Sequence, residues 1–292
     1  VAVIAAHNIW VLPLCWRLSR KTGASLVYNA HELETETGSM TGFKQRIAKY
    51  IESHLVTKCS VVSVVNGSIA DWYECEYRIR RPVVVDNIPV IRDAEVRLRE
   101  HLGITPEEML YIHTGHLVEG RNIPLILSAF SGRPEHVVFL GDGYLRDAVL
   151  AAAAASPNIH WVAPVSPDLV VAHVREADVG LCLIEDQRDL SDKLSSPNKL
   201  LEPLAAGVPP LCSDLVEARR RLGSLADDWI LRVPSIEIES ALDRIGKADV
   251  EKFRSQWPGM RQWTSEVEPL LAAYRQLAHP ALPGRHTPHT YG

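Results

Sequence analysis

The chain has no apolar run of membrane-spanning length. Stretches such as 1–6 and 61–65 are strand-sized, whereas a spanning helix needs about 20 apolar residues. The opening run has no basic segment ahead of it and breaks at His7 and Asn8, so no secretory signal peptide is expected in it. Cysteine is sparse, five in all. An odd number, scattered and without a C-x-x-C pair, argues against a disulfide framework or a zinc ribbon. Cys59, Cys182 and Cys212 sit in or beside apolar runs, where cysteine acts as a small buried hydrophobe, and a reduced, cytoplasmic setting fits best. Positive charge is not in excess either: 31 Lys and Arg face 36 Asp and Glu, a formal net charge of -5, so nucleic acid is not expected as a partner. The twelve histidines fall at no metal-ligand spacing, and there is no Asp-x-Asp motif, so no metal site is expected. The first residue is Val1 rather than Met, and an upstream segment is expected.

What is present is an alternation of β-branched apolar runs with amphipathic stretches, over 292 residues of 46% hydrophobic content. That pattern predicts parallel α/β architecture, and the length suits two units. Strands are predicted at 1–6, 25–29, 60–65 and 82–86, with helices at 9–21, 43–57 and 68–77. Ser68 is placed as the cap of the last, with Asp71 in its first turn. Asn87-Ile88-Pro89 and the charged segment 92–100 interrupt the series. A second series follows, with strands at 109–114, 136–140, 159–162, 179–183 and 210–213. Its helices are predicted at 123–131, 145–155, 167–176, 198–206 and 216–222. A last helix, 260–277, carries Trp263, Val267, Leu270, Leu271 and Tyr274 at helical spacing. The division expected is 1–92 for a first Rossmann-like domain and 93–262 for a second. A C-terminal helix at 263–278 is placed so as to pack back on the first domain, and 279–292 reads as a disordered tail.

Open α/β sheets bind ligands at the carboxyl ends of their strands, so the strand-to-helix turns hold the candidates. Residues 114–122 read Thr-Gly-His-Leu-Val-Glu-Gly-Arg-Asn. Glycines there admit a phosphate to the backbone, the following helix start favours an anion, and Arg121 can pair with a diphosphate; a plain glycine turn with a surface arginine fits equally well. Gly141-Asp142-Gly143 follows the next strand but lacks the third glycine of a dinucleotide fingerprint, so a tight turn serves as well. Residues 197–209 read Pro-Asn-Lys-Leu-Leu-Glu-Pro-Leu-Ala-Ala-Gly-Val-Pro. Asn198 can cap a helix that presents Lys199 and Glu202 on one face, an ammonium for phosphate and a carboxylate for ribose hydroxyls; the alternative is a surface ion pair of little worth.

The 197–209 segment resembles the donor-site motif of group 1 (family 4) GT-B glycosyltransferases. In the same order along the chain, Gly115 through Arg121 looks like that family's phosphate turn, Gly141-Asp142-Gly143 like its glycine turn, and Ala177 through Leu181 like the strand before the donor site. Val27 through Glu32 is similar to its His-containing turn facing the cleft. Glu52 through Ser68 and Asp86 through Pro89 match further segments, and the likeness covers about residues 1 to 275. It implies a GT-B pair of Rossmann-type doubly wound domains, the N-terminal one truncated. It implies a retaining, metal-independent hexosyltransferase with no cofactor beyond a nucleotide-diphosphate sugar as donor substrate, and a glycan, lipid-linked or small-molecule acceptor. The donor nucleotide would meet Gly115, His116, Arg121, Gly141, Gly143, Asn198, Lys199 and Glu202. His31, Arg121 and Lys199 would be catalytic, the two cations offsetting charge on the departing diphosphate.

The sequence departs from the family where a first glutamate would stand, at Leu194, which bears on sugar recognition. A nucleotide-sugar 2-epimerase on the same fold would need carboxylates in the cleft, and Glu32, Glu34 and Glu36 are available. An inactive nucleotide-sugar-binding homologue is the non-enzymatic alternative. Residues 43–57 interleave Lys44, Arg46 and Lys49 with Phe43, Ile47 and Ile51. That pattern suits either the solvated outer face of a core helix, the commoner case, or peripheral contact with the inner face of an anionic membrane.

Overall fold

The computed structural model describes residues 2–185 and 189–278; the tail expected at 279–292 lies outside them. Two parallel sheets follow one another along the chain. The first holds β1 (Val3–Ala6), β2 (Ser25–Ala30), β3 (Val61–Val64) and β4 (Val83–Val84) in sequential order. Its crossovers are α1 (Leu12–Thr22), α2 (Gly42–Leu55) and α3 (Gly67–Tyr77). After the short α4 (Leu98–Leu102), the second sheet takes β5 (Leu110–Thr114), β6 (His136–Leu140), β7 (Ile159–Val162), β8 (Val179–Cys182), β9 (Pro210–Ser213) and β10 (Ile230–Leu231). Between these strands lie α5 (Ile123–Phe130), α6 (Arg146–Ala155), α7 (Pro167–Val174), α8 (Leu190–Lys193), α9 (Asn198–Ala206), α10 (Val216–Leu222) and α11 (Ala226–Trp229). The chain then continues through α12 (Pro234–Arg244), α13 (Lys247–Gln256), α14 (Trp263–Glu266) and α15 (Glu268–Ala278).

The spatial order of the second sheet is β10-β9-β8-β5-β6-β7. Winding runs outward from β5 to β7, then jumps back to β8 and outward again on the other side. This is the doubly wound order, and it opens a crevice where direction reverses, between β5 and β8. All residues of β5, β8 and β9 are buried, which is why their apolar runs are continuous rather than alternating. β10, α12 and α13 went unforeseen: β10 is only two residues long, too short for a periodic signal.

Other departures have local causes. The cap of α3 is Asn66, whose side chain accepts from the Ile69 amide at 2.8 Å; Ser68, expected there, bonds a carboxylate of the other unit instead. The predicted 260–277 helix is two segments, breaking before Glu268 and Pro269, since proline clashes with a preceding helical turn. The charged segment 92–100 is not free: Arg99 reaches the buried Asp178 at 2.6 Å, and Lys247 reaches the same carboxylate at 2.8 Å.

Contacts between the two sheets' elements converge on α10. Glu217, almost fully buried, accepts from the Ser68 amide at 2.7 Å and from its hydroxyl at 2.5 Å. Arg220 pairs with Asp71 and Arg221 with Asp86, each at 2.5 Å. α14 and α15 cross back: Glu266 accepts from the Asp86 amide at 3.2 Å, and Tyr274 lies against Asn29 at 3.4 Å.

Within the first unit the fully buried Glu52 of α2 gathers four hydroxyl donors, from Tyr28, Tyr73, Tyr77 and Thr35, at 2.5 to 3.3 Å. Burial raises its pKa and the hydroxyl bonds oppose that rise. Replacing it orphans all four donors at once. Glu52→Leu is expected to cost about 3 kcal/mol or more in urea unfolding, and Tyr73→Phe about 1 kcal/mol. Equal costs for the two would refute the hub.

Candidate functional site

The crevice at the sheet reversal is built from three turns and one helix. The β5 turn extends the β5–β6 ladder, with the Gly115 amide donating to Leu140 at 2.8 Å and the Leu117 amide to Asp142 at 2.9 Å. The β6 turn can lie this close only because it lacks side chains: a Cβ on Gly141 would stand 1.9 Å from the Gly115 carbonyl oxygen, and one on Gly143 would stand 2.3 Å from that of Leu117. The Glu185 amide donates to the Gly120 carbonyl at 3.0 Å, joining the turn after β8 to the first. Gly141 and Gly143 therefore act by letting two turns stack.

α9 lies directly on β8. A Cβ on Gly180 would meet the Pro203 ring at 2.3 Å, so glycine in the strand and proline in the helix set the helix height. Pro203 has no amide proton, which leaves the Lys199 carbonyl without its usual helical partner. The N-cap is Pro197, with no side-chain cap; Asn198, expected to cap, is exposed and accepts from Asn87 at 3.1 Å. The first amides of α9 thus stay open at the positive end of the helix.

Lys199 and Glu202 form no ion pair. Glu202 instead accepts from the Thr114 hydroxyl at 2.6 Å, using Oε2. Lys199 points to the β5 turn, its Nζ 3.3 Å from where a Cβ on Gly115 would be. Burial and the nearby Arg121 lower its pKa to about 8. Burial raises that of Glu202, against the pull of Thr114 and Lys199. Neither Lys199 nor Arg121 is neutralised by a described carboxylate within 4 Å. Beneath them His113 is fully buried, and neither ring nitrogen makes a hydrogen bond. Burial first, then Lys199, hold it neutral by pulling its pKa well down. The structure therefore brings Gly115, Gly141, Arg121, Lys199 and Glu202 together and adds Thr114 and His113, which sequence reading passed over. Their only sequence signal is polarity in an otherwise apolar strand. His116 is exposed, and Gly143 supports the turn at Leu117 rather than facing Lys199.

His31 lies apart, at the end of β2. Its ring stacks on that of His7 with centroids 5.7 Å apart. Both line a cavity of about 410 Å³ with Asn29, Ser63, Trp263 and Ser196. Ser196 comes from the segment leading into α9, so the cavity spans both units. Leu194, at the place of the family's first glutamate, packs against the first unit's core, and its carbonyl accepts from Asn66 at 2.7 Å. Of the three nearby carboxylates, Glu34 holds the Ile9 amide at 3.1 Å and Glu36 pairs with Lys49 at 2.6 Å. Among the described residues no group of three His, Cys, Asp or Glu side chains is placed to hold a metal, and no helix is long and apolar enough to cross a membrane.

No family model and no curated protein matches the chain. Solved structures do. TarM of S. aureus, in complex with UDP, fondaparinux and alpha-GlcNAc-glycerol, superposes with a TM-score of 0.63 at 11% identity, covering 94% of this chain and 55% of that one. HepE of Anabaena, with UDP and glucose, gives 0.64 at 14% identity, covering 95% and 77%. WaaG, a glycosyltransferase involved in lipopolysaccharide biosynthesis, gives 0.58 at 14%, covering 89% and 80%. The chain has the GT-B glycosyltransferase fold and spans about half the length of TarM.

A half-buried lysine with no ion pair to a described carboxylate burdens the free protein. Its folded pKa lies below the unfolded value, so the penalty is complete below about pH 8 and disappears as pH rises toward the unfolded value near 10.5. Lys199→Met is expected to raise Tm at pH 7 by a few degrees, with the gain shrinking above pH 8 in thermal melts. A fall in Tm at pH 7 would mean that the lysine is compensated.

Proposed function

We propose that this chain binds a nucleoside-diphosphate sugar at the β5–β8 crevice and transfers the sugar, with retention and without a metal, to an acceptor hydroxyl. The observation that carries this is the pair Lys199 and Arg121, two cations with no ion pair to a described carboxylate, at a glycine-lined sheet reversal beside an open helix start. Such a site stabilises a diphosphate far better than it stabilises itself. Glu202 keeps Oε1 for a ribose hydroxyl while Thr114 holds Oε2. The cleaved bond joins the anomeric carbon to the β-phosphate oxygen, the new bond joins that carbon to the acceptor oxygen, and the acceptor's proton passes to the departing diphosphate. Lys199 and Arg121 offset the charge that builds there. Uridine diphosphate is the first nucleotide to try, because the matched TarM and HepE structures hold it.

The cavity at His31 supplies the acceptor side of this reading. Trp263 offers a partly exposed aromatic face on which a sugar ring can stack, and Asn29 and Ser63 offer hydrogen bonds to hydroxyls. The acceptor class proposed is a carbohydrate, free or carried on a larger molecule. The 2-epimerase reading has less to stand on, since Glu34 and Glu36 are engaged and only Glu32 is left for acid or base work.

Calorimetric titration with nucleoside diphosphates tests the donor half. Glu202→Ala and Lys199→Ala should each weaken binding about 10- to 100-fold, the loss of one hydrogen bond to a charged group. His31→Ala should leave nucleotide affinity within twofold and reduce turnover of donor. Affinity should also fall as pH rises through 8, where free Lys199 loses its proton, and Lys199→Arg should abolish that slope. No binding by the native chain would sink the proposal, and release of a free 2-epimer would select the epimerase.

A further inference from the structure

The backbone of the β5 turn presents both a donor and an oxygen to the side that faces away from β6. Gly115 has a φ of 82°, in the left-handed region that favours glycine. Its carbonyl faces the β6 turn, where a Cβ on Gly141 would stand 1.9 Å from the oxygen. No peptide bond among the described residues is cis. In a trans peptide the carbonyl and the following amide point in opposite directions, so the His116 amide faces away from the β6 turn. The next peptide unit is reversed: the Leu117 amide donates to the Asp142 carbonyl at 2.9 Å, which sends the His116 carbonyl away from β6 as well. The amide is an asset to an anion site, whereas the carbonyl is a repulsive dipole unless a donor covers it.

The group placed to cover it is His113, three residues back on β5. Its ring is fully buried against Phe139, its register partner on β6, with ring centroids 5.7 Å apart. Four buried side-chain polar atoms lack a hydrogen-bond partner among the described residues, and two of them are Nδ1 and Nε2 of this one ring. A neutral imidazole carries one N–H and one lone pair. Burying both unanswered is costlier than burying a phenyl ring, which has no polar atom to desolvate. Burial, Lys199 and Arg121 all disfavour a charged ring, and the His116 backbone is the one neighbour that acts the other way, as a carbonyl does when it faces a ring N–H. The imidazole is thus a neutral donor beside the His116 oxygen, with no bond made to it. A core position filled for packing alone has no use for such a group.

We propose that His113 is a positioning residue of the donor site: as a diphosphate draws the β5 turn inward, the ring N–H donates to the His116 carbonyl and fixes the turn with its amide toward the phosphate. This role rests on the donor-site reading given above. Covering the oxygen removes a repulsive dipole from beside the anion and leaves the His116 amide, Lys199 and Arg121 to face it. No proton is taken up in the process, because the neutral ring already holds the N–H that it donates.

Thermal melts of the free protein and calorimetric titration with uridine diphosphate, on three variants, test this. His113→Phe fills the space beside Phe139 and cannot donate. It should melt at or above the native temperature, since an unanswered polar ring is gone, and yet bind the nucleotide about tenfold more weakly, the loss of about one hydrogen bond. His113→Asn and His113→Gln set an amide N–H near the place of Nδ1 or Nε2, and one of the two should recover affinity to within about threefold of native. A residue that only packs would give the reverse pairing, a lowered Tm with affinity kept. Affinity of His113→Phe within about twofold of native, a fall in its Tm, or equal losses in all three variants would overturn the role of His113 and leave the donor site standing. No binding by the native chain would remove the donor site and this role together.

Discussion

The relation between the two units depends on one buried carboxylate, Glu217, holding the start of α3 against α10. A carboxylate taken out of water is costly unless its lone pairs are filled. Glu217 accepts two hydrogen bonds from Ser68 of the other unit, and Arg220 and Arg221 of its own helix lie at ion-pair distance, 3.5 and 3.7 Å. The same arginines then reach Asp71 and Asp86. Two sheets that share no strand are thereby given a fixed relation, and the cavity at His31 acquires a wall, Ser196, from the second unit. Leu194 strengthens the joint by packing into the first unit's core.

The treatment of charge distinguishes structural from functional parts of the molecule. Asp178 is buried but answered by Arg99, Lys247 and the Leu110 amide. Arg133 is answered by Glu135 and Asp243. At the β5–β8 reversal the pattern inverts: Lys199 and Arg121 stand together with no ion pair to a described carboxylate, the Lys199 pKa is lowered to about 8, and His113 beneath them is kept neutral. An arrangement that weakens the free protein is understandable where an anionic ligand completes it.

Legibility in the sequence varied with the kind of interaction. Strands buried on both faces are legible because nearly every residue in them is apolar, and the edges of β5, β6 and β7 are legible to within a residue. The last helix was read as continuous because Trp263, Leu270 and Tyr274 keep helical spacing across the break before Pro269. Caps were misassigned at Ser68 and Asn198. Asn, Ser and Pro all suit a helix start, and the choice among them was settled by partners distant in sequence, Glu217 and Asn87. Glu202 was identified, but its partner Thr114, 88 residues away, has no local signature.

The sequence by itself determined the α/β class, the strand-end turns and the residue types able to meet a diphosphate, because periodicity and glycine placement are local properties of the chain. Tertiary structure alone decided that Lys199 meets Gly115 rather than forming an ion pair with Glu202, that Gly141 and Gly143 serve turn stacking, and that Phe43 and Ile47 face outward. Each of those outcomes depends on which elements pack together, and packing couples residues that the local pattern leaves independent.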